Sequence, residues 1–356
     1  MANGSTGPLV PQVDVLINGA PVSAAVLRYV ADVVVDDSLD VPSMFAIVVT
    51  SSDAQEQDVP WVDNADLFSV GNVVEIKMGE AGNLTSLITG EITALEPEFV
   101  VSQIPLLTVR GYDRRHRLQR GRKTRTFLQK KDSDIATQIG GEASLSVQAT
   151  DSGTSLDYVL QANQTDWEFL CERARLIRYE VVVKDKTLLF QPAGNGQSEV
   201  LTLDMKNDLL EFYPRLSSAG QATEVKVQSW SVKDKKAVLG DSRAGDEIST
   251  MGGQSSGAAI AQRAFGNAID VVSDQPVGAQ AEADQIAKAR FNELVLELVT
   301  GEGLCRGRPD IRPGKVIKID GIGQRFGGQY YVTSAIHRYS PASGYVTEFM
   351  VGRNAS

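Results

Sequence analysis

The amino-acid sequence predicts a mainly β protein with α+β insertions: two similar antiparallel β-barrel domains and a small inserted α/β domain. Two observations support this fold class. A pattern of three strands with glycine turns occurs twice, at residues 70–113 and 313–352. The chain of 356 residues also contains 32 glycines, which suits a β protein with many turns. A chain of this length is expected to form more than one hydrophobic core.

The two copies of the pattern also agree in phase. Val74 and Ile76 of the first copy align with Ile317 and Ile319 of the second, and charged residues alternate with them in both copies. Successive side chains of a strand point to opposite faces, so a shift by one residue would place these charges in the core. The pattern therefore indicates an internal repeat. The alternative is that any two antiparallel meanders with glycine turns look alike.

The order of these patterns predicts the domain boundaries. The predicted ranges are a flexible N-terminal arm at 1–12, a first β-barrel domain at 13–115, an inserted α+β domain at 116–195, a second β-barrel domain at 196–237 and 300–356, and a long loop plus helix at 238–299. The loop and helix would be inserted within the second barrel.

Alternating apolar residues predict the strands that precede the first copy of the pattern. These strands lie at 13–17, 29–36 and 45–50, and the Asn18-Gly19 turn after the first of them is a hairpin signal. A polar segment at 51–66 leads into the first copy. About six short strands in some one hundred residues indicate a small antiparallel barrel or sandwich.

Two helices are predicted in the inserted domain. Asp132 or Ser133 is expected to cap a short helix that ends at Ile139. Thr165 and Glu168 form a capping box at the start of an amphipathic helix, because the threonine hydroxyl and the glutamate carboxylate satisfy each other's backbone N–H groups.

The following segments are less regular. A hairpin is predicted at 179–191 and a strand at 224–228. Residues 238–279 show little periodicity and are expected to be a long loop, which in a compact domain is functional, flexible or ordered by a partner. A helix with one apolar stripe is predicted at 281–299.

Residues 110–131 are rich in arginine and lysine, although the chain has a net charge of −10. The candidate interface residues are Arg114, Arg115, Arg117, Arg120, Arg122, Lys123 and Arg125. The run is either a docking surface for an acidic neighbour, a phosphate-binding patch, or a solvated connector that balances acidic surface. An intersubunit role is favoured, because aromatic side chains that could stack on bases are nearly absent here.

Composition excludes several functional classes. The net charge of −10 argues against general nucleic-acid binding. Cys171 and Cys305 match no metal or redox spacing, which indicates synthesis in a reducing cytosol. No apolar run has the length of a membrane span, and the N-terminal residues lack the pattern of a secretory signal peptide.

No catalytic, cofactor-binding or metal-binding residues are predicted. His116 lies in the basic run and His337 in the second copy of the repeat, without acidic or cysteine partners at ligand spacing. His337 is expected to be a hydrogen-bonded strand residue. Paired carboxylates such as Asp36-Asp37 occur next to a turn, where solvation explains them.

Several short motifs in a fixed order resemble a known family. They are Gly111-Tyr-Asp-Arg with its basic run, Asp132-Ser-Asp-Ile-Ala, Gln161-Ala-Asn-Gln-Thr-Asp-Trp-Glu-Phe-Leu, Tyr179-Glu-Val-Val-Val, Arg312-Pro-Gly, Phe326-Gly-Gly-Gln-Tyr-Tyr-Val-Thr and Gly344-Tyr-Val-Thr-Glu-Phe. The chain resembles the hub proteins of contractile phage tails and injection systems, namely the phage late control protein D family and the N-terminal hub part of VgrG proteins. The resemblance covers roughly residues 10–353.

The resemblance implies a structural protein without enzymatic activity. Hubs of this family are trimers in which each subunit contributes two similar barrels, so that a ring of six barrels adapts the hexameric inner tube to the trimeric spike. The implied partners are two further copies of the chain, an inner tube protein, a spike protein and baseplate wedge proteins, with neither membrane nor nucleic acid. The protein would be made in the bacterial cytoplasm and built into a phage tail or a tail-like particle.

One departure from the family concerns the spike. VgrG proteins continue from the hub into an OB-fold and a β-helical needle, whereas this sequence ends at Ser356. The spike would then be a separate polypeptide, or the sequence is part of a longer protein. Two further functions stay open at this point: a hub-associated peptidoglycan hydrolase, and a receptor- or carbohydrate-binding component of the particle.

Overall fold

A computed structural model describes residues 11–50, 64, 66–101 and 103–356. The strands are β1 (Pro11–Ile17), β2 (Ala20–Pro21), β3 (Val30–Ser38), β4 (Met44–Thr50), β5 (Val73–Glu80), β6 (Asn83–Glu98), β7 (Leu106–Asp113), β8 (Lys123–Lys130), β9 (Ser146–Ala149), β10 (Leu156–Gln164), β11 (Tyr179–Lys184), β12 (Thr187–Pro192), β13 (Thr202–Asp204), β14 (Leu209–Leu216), β15 (Glu224–Ser231), β16 (Lys236–Arg243), β17 (Ile269–Val272), β18 (Val299–Arg306), β19 (Val316–Asp320), β20 (Gly328–Ser340) and β21 (Gly344–Arg353). The helices are α1 (Ala24–Leu27), α2 (Arg115–Leu118), α3 (Asp132–Glu142), α4 (Asp166–Leu176), α5 (Gly257–Phe265) and α6 (Gln280–Val295).

Two units with the same strand order form the main sheet. In the first strand unit, neighbouring strands follow the order β3-β4-β7-β6-β5-β1, and in the second strand unit they follow the order β14-β18-β21-β20-β19-β13. Taken in chain order, each strand of one unit therefore has a counterpart in the other. One pairing differs, because β1 runs antiparallel to β5 whereas β13 runs parallel to β19.

β-Bulges, in which one strand has an extra residue, fix the correspondence residue by residue. Thr93 is the extra residue of β6 opposite β7, and Thr333 is the extra residue of its counterpart β20 opposite β21. Ala31 is the extra residue of β3 opposite β4, and Leu210 is the extra residue of β14 opposite β18. The shared bulge positions confirm that the two halves of the chain repeat one β architecture.

The fold class agrees with the sequence prediction. The strand pairing also shows how the two strand units are connected. Strand β3 of the first unit pairs antiparallel with β20 of the second, so the described strands of both units belong to one 13-stranded sheet. Each unit has its own core: one is centred on buried side chains such as Phe45 and Ile76, the other on side chains such as Ile317 and Phe349. Within the described residues, hydrogen bonding does not close either unit into a separate barrel.

The first insertion is a mixed unit with its own core. Strands β8 and β10 form one small sheet, and β9, β12 and β11 form another, against which α3 and α4 pack. The predicted capping box is present: the Thr165 hydroxyl accepts from the N–H of Glu168, and the Glu168 carboxylate accepts from the N–H of Thr165. Helix α3 differs slightly from the prediction, because its N-cap is Lys131 and it continues to Glu142.

The second insertion corrects the prediction of a long loop at 238–279. Strands β15, β16 and β17 form a sheet there, and α5 and α6 bury a common core with it. The hydrophobic periodicity of this segment is weak because many residues of its packed faces are small. Gly240 lies against the backbone of Ala283, where a Cβ atom would collide, and α5 buries Ala258 and Ala261. Ser256 caps α5 by accepting from the N–H of Ala259.

Two predicted segments lie outside the described residues. They are the first ten residues of the N-terminal arm and residues 51–63 of the polar segment. The last two residues of the predicted arm, Pro11 and Gln12, begin strand β1 and pair with β5. None of the helices in the described ranges is both long and apolar enough to span a bilayer.

Candidate functional site

The basic run connects the first strand unit to the first insertion, and its first two candidate residues are buried. Arg115 donates from Nε to the Asp113 carboxylate at 2.6 Å and from an Nη atom to the carbonyl oxygen of Ser38 at 2.9 Å. The Arg114 side chain is 6% exposed and forms ion pairs with Glu91 and Asp185. The structure therefore corrects the prediction of an intersubunit contact for Arg114 and Arg115, because both guanidinium groups are bonded inside the chain.

The other candidate residues are nearer to the surface. Arg117 pairs with Glu91, Arg122 with Glu168, Lys123 with Asp166, and Arg125 with both Glu142 and Asp166. The exposed side chain of Arg120 has no hydrogen-bond or ion-pair partner among the described residues. These acidic partners lie 17 to 46 residues away in sequence, which explains why the sequence alone could not identify them. A docking role for Arg117, Arg120, Arg122, Lys123 and Arg125 stays a prediction.

Replacing Arg125 by alanine is expected to lower the free energy of unfolding by about 1–3 kcal/mol, because the buried Asp166 loses a charged hydrogen-bond donor. Arg125 Nη2 lies 2.8 Å from Asp166, and its Nε donates to Gln161 at 2.7 Å. Urea unfolding followed by circular dichroism measures the loss. Arg120→Ala is the matched control and should change stability by less than about 0.5 kcal/mol. Equal losses in the two variants would contradict this assignment.

The β3–β20 ladder, which we call the seam, joins the two strand units. It runs from the pair Ser334–Ser38 to the pair Tyr339–Val33. Arg312, which precedes β19, reaches across the seam. Its Nε donates to the Asp37 carboxylate at 2.8 Å, and one Nη donates to the carbonyl oxygen of Leu87 at 2.6 Å. One side chain of the second unit thus fixes two segments of the first.

Asp37 is the acidic centre of the seam and is 8% exposed. Burial alone would raise the pKa of Asp37, but the charges of Arg312 and Arg115 and the hydrogen bond from Ser43 hold the pKa below its usual value. Asp37 is therefore a buried carboxylate that stays charged through its partners. Burial raises the pKa of the neighbouring Asp113, even though Arg115 opposes this shift.

His337 lies in the seam opposite Val35 and is fully buried. Its Nδ1 atom is 2.8 Å from the Tyr345 hydroxyl and 3.3 Å from the Thr347 hydroxyl. Burial lowers the pKa of His337 to about 3, and the charge of Arg312 acts in the same direction. The histidine is therefore neutral at physiological pH. This location agrees with the expected hydrogen-bonded strand residue.

A cleft of about 1080 Å³ lies between the first insertion, α6 and the second strand unit. Arg178 and Glu180 line it together with Tyr331. Burial raises the pKa of Glu180 to about 7, against the opposing charge of Arg178. One Glu180 oxygen and the Tyr331 hydroxyl have no hydrogen-bond partner among the described residues. The cleft could accept a polar group. No local pattern of residues predicts it, because its walls come from distant segments of the chain.

The described residues contain no cluster of three or more histidine, cysteine, aspartate or glutamate side chains that could hold a metal ion. Burial raises the pKa of both cysteine thiols to about 12. Both thiols are therefore protonated and unreactive at neutral pH.

The repeated strand units joined by the seam give the chain the fold of phage tail proteins. It is similar to the 43 kDa tail protein of prophage MuSo2 from Shewanella oneidensis, with a TM-score of 0.73 and 12% identity over 96% of this chain and 98% of that chain. It is also similar to a tail protein from Neisseria meningitidis MC58, with a TM-score of 0.68 and 14% identity over 97% of both chains. A third similar structure is the E. coli c3393 protein, a component of the type VI secretion system, with a TM-score of 0.62 and 14% identity over 96% of this chain and 77% of that chain.

A family model matches most of the sequence. The model described as the Alg8 N-terminal domain matches residues 8–340, and the chain therefore belongs to that family. This description differs from the late control protein D and VgrG families that the sequence motifs resemble. No curated protein matches the sequence significantly.

Proposed function

We propose that this protein is the structural hub of a contractile injection system or phage tail baseplate. In this role three copies form a ring that adapts a hexameric inner tube to a trimeric spike. The observation that carries the proposal is the internal repeat: two strand units with the same strand order are joined head to tail in one chain. The tail-protein fold and the motif resemblance support it.

The repeat explains how a three-fold and a six-fold component could meet. Three copies of a chain with two equivalent units present six similar positions to the tube while keeping three-fold symmetry for the spike. Contacts between unlike surfaces of successive units close into a ring when the rotation fits. The seam would transmit force between units through its ladder and through the bonds of Arg312 to Asp37 and Leu87.

The proposed partners are two further copies of the chain, an inner tube protein, a spike protein and baseplate wedge proteins. The protein would be assembled into a tail or tail-like particle in the bacterial cytoplasm. We assign it no catalytic role. The alternative of a hub-associated peptidoglycan hydrolase is distinguished by zymography on cell walls, in which a hub gives no cleared band. A receptor- or carbohydrate-binding component would instead bind glycan or cell surfaces without assembling into a ring.

Light scattering and negative-stain imaging test the proposal. The 38.4 kDa chain is co-expressed with an inner tube protein and a spike protein of the same particle, and we expect complexes that contain three copies in a ring with pseudo-six-fold symmetry. The chain expressed alone is the reference for its own tendency to assemble. Stable monomers in the presence of both neighbours would contradict the hub function.

A further inference from the structure

The two strand units are equivalent, but their edges are used unequally. In the seam, β3 of the first unit pairs with the C-terminal part of β20 in the second. The counterparts of these two strands are β14 and the C-terminal part of β6. Among the described strands, β14 pairs only with β18, and residues 94–98 of β6 pair only with β7. Within the described residues, each chain therefore has two unpaired edges of the kinds that meet in the seam.

Because the bulges occupy equivalent positions in the two units, the register of the seam can be applied to these two edges. In the seam, Ile336 is the third residue after the bulge at Thr333, and it pairs with Asp36, the fifth residue after the bulge at Ala31. Counting from the equivalent bulges places Glu96 opposite Arg215. The same count gives the pairs Ala94–Ser217, Leu95–Leu216, Pro97–Pro214 and Glu98–Tyr213.

One pair of side chains is complementary in charge in this register. Glu96, which also forms an ion pair with Arg110 at 2.8 Å, would face Arg215, and the exposed Arg215 has no ion-pair partner among the described residues. Phe99 and Tyr213 are 61% and 65% exposed, so a large aromatic side chain lies in water on each edge, but in this register Tyr213 faces Glu98 and not Phe99. Opposite charges placed across two strands stabilise a sheet.

Each of the two edges contains a proline. Ser217 donates its N–H to Leu298 next to β18, so Pro214, three residues earlier, is oriented toward the unpaired edge. A proline in a sheet is found with its nitrogen on an edge of this kind. Pro97 and Pro214 would face each other at a hydrogen-bonded position of this register, where neither supplies an N–H group, so the two ladder hydrogen bonds of that pair would be absent. The neighbouring hydrogen-bonded pair would be Leu95–Leu216, which corresponds to Ala335–Asp37 in the seam.

We propose that β14 of one copy of the chain pairs antiparallel with residues 94–98 of β6 in the next copy. This contact repeats the seam between chains and continues the sheet from one copy to the next. It joins unlike edges, so it leads to a closed ring or a filament. The number of copies in the ring rests on the proposed function, whereas the pairing itself rests on the repeat.

Engineered disulfides test the register. Across the seam, Leu39 N donates to Thr333 O, which makes Ile336–Asp36 a non-hydrogen-bonded pair. Glu96 and Arg215 would be the equivalent pair, with Cα atoms about 4.5 Å apart, within the range of a disulfide. We expect Glu96→Cys/Arg215→Cys to form linked dimers and trimers under mild oxidation, seen on a non-reducing denaturing gel. The native thiols contribute little background because burial raises the pKa of both to about 12.

Matched variants provide the controls. Asp36→Cys/Ile336→Cys should give a disulfide within one chain, which tests whether the oxidation conditions suit this geometry. Glu98→Cys/Arg215→Cys is shifted by two residues on the same face and should cross-link about tenfold less, because the Cα atoms would be too far apart. Charge reversal is an independent arm: Glu96→Arg and Arg215→Glu should each reduce assembly, and their combination should restore it.

The outcomes separate this inference from the proposed function. Rings of three copies that do not cross-link at Glu96 and Arg215, or that cross-link equally in the shifted variant, would overturn the pairing and leave the hub function standing. Cross-linking at this pair in filaments, or in rings of another size, would support the pairing and overturn the three-fold hub. Monomers without cross-links, alone and beside the tube and spike proteins, would overturn both.

Discussion

Replacing Arg312 by leucine is expected to lower the free energy of unfolding by about 3–5 kcal/mol, because it leaves a buried carboxylate without its main charged partner. Arg312 Nε lies 2.8 Å from Asp37, which is 8% exposed, and an Nη atom bonds to the carbonyl oxygen of Leu87. Arg115 is the next cation, 3.7 Å from Asp37, but it is already paired with Asp113. The loss should be concentrated in the seam, because all these groups hold the two units together.

Urea unfolding by circular dichroism and hydrogen exchange of β3 measure this effect. In Arg312→Leu/Asp37→Asn, the buried charge is removed together with its partner, and we expect part of the stability to return. Lys318→Ala is the control, because Lys318 and Asp320 form an exposed pair that should contribute little to stability. A loss of that small size for Arg312→Leu would show that the seam does not depend on this ion pair.

The second large effect is a pH dependence that arises from His337. The pKa of His337 is lowered from 6.5 to about 3 in the folded protein, by burial first and by the charge of Arg312 second. Below pH 6.5 the unfolded chain binds a proton that the folded chain does not bind. The contribution of His337 to stability is therefore lost as the pH falls from 6.5 towards 3, by about 1.4 kcal/mol per pH unit at the steepest.

The comparison with His337→Gln isolates this contribution. Burial raises the pKa of Glu180 to about 7, so Glu180 stabilises the folded state as the pH falls from 7 to 4.5 and opposes His337 in part of the window. The difference between wild type and variant removes the contribution of Glu180. We expect the variant to be the less stable protein at pH 7, because it disturbs the contacts to Tyr345 and Thr347. Its deficit should shrink by roughly 2–3 kcal/mol by pH 4.5.

Urea unfolding at half-unit steps from pH 7 to pH 4 gives the required curves. His116→Gln is the matched control, because His116 is partly exposed and bonds to the Glu91 carboxylate outside the seam. A constant difference between wild type and His337→Gln across this range would mean that the buried histidine does not titrate as described. Arg312 and Asp37 are the charged residues that face His337 from neighbouring elements. His337→Gln and His116→Gln both retain these two charges.

The sequence predicted well the features that local spacing controls. Alternation of apolar residues located the strands of both units, and the alignment of Val74 with Ile317 holds in the structure, where both pair with the central strand of their meander. The capping box at Thr165 likewise needs only residues within one helical turn. In contrast, the segment at 238–279 was predicted as a loop, because glycine and alanine form much of its buried faces and give little periodic contrast.

The sequence by itself therefore determined that the chain repeats a β meander and where most of its strands and helices lie, since side-chain periodicity is a local property. Only the tertiary structure decided that β3 pairs with β20, that Arg312 bonds to Asp37, and that Arg114 and Arg115 turn inward to acidic partners. Except for the bond of Arg115 to Asp113, these contacts join residues that are far apart in the chain. Their energies depend on burial and on the distance between charges, which no local pattern of residues encodes.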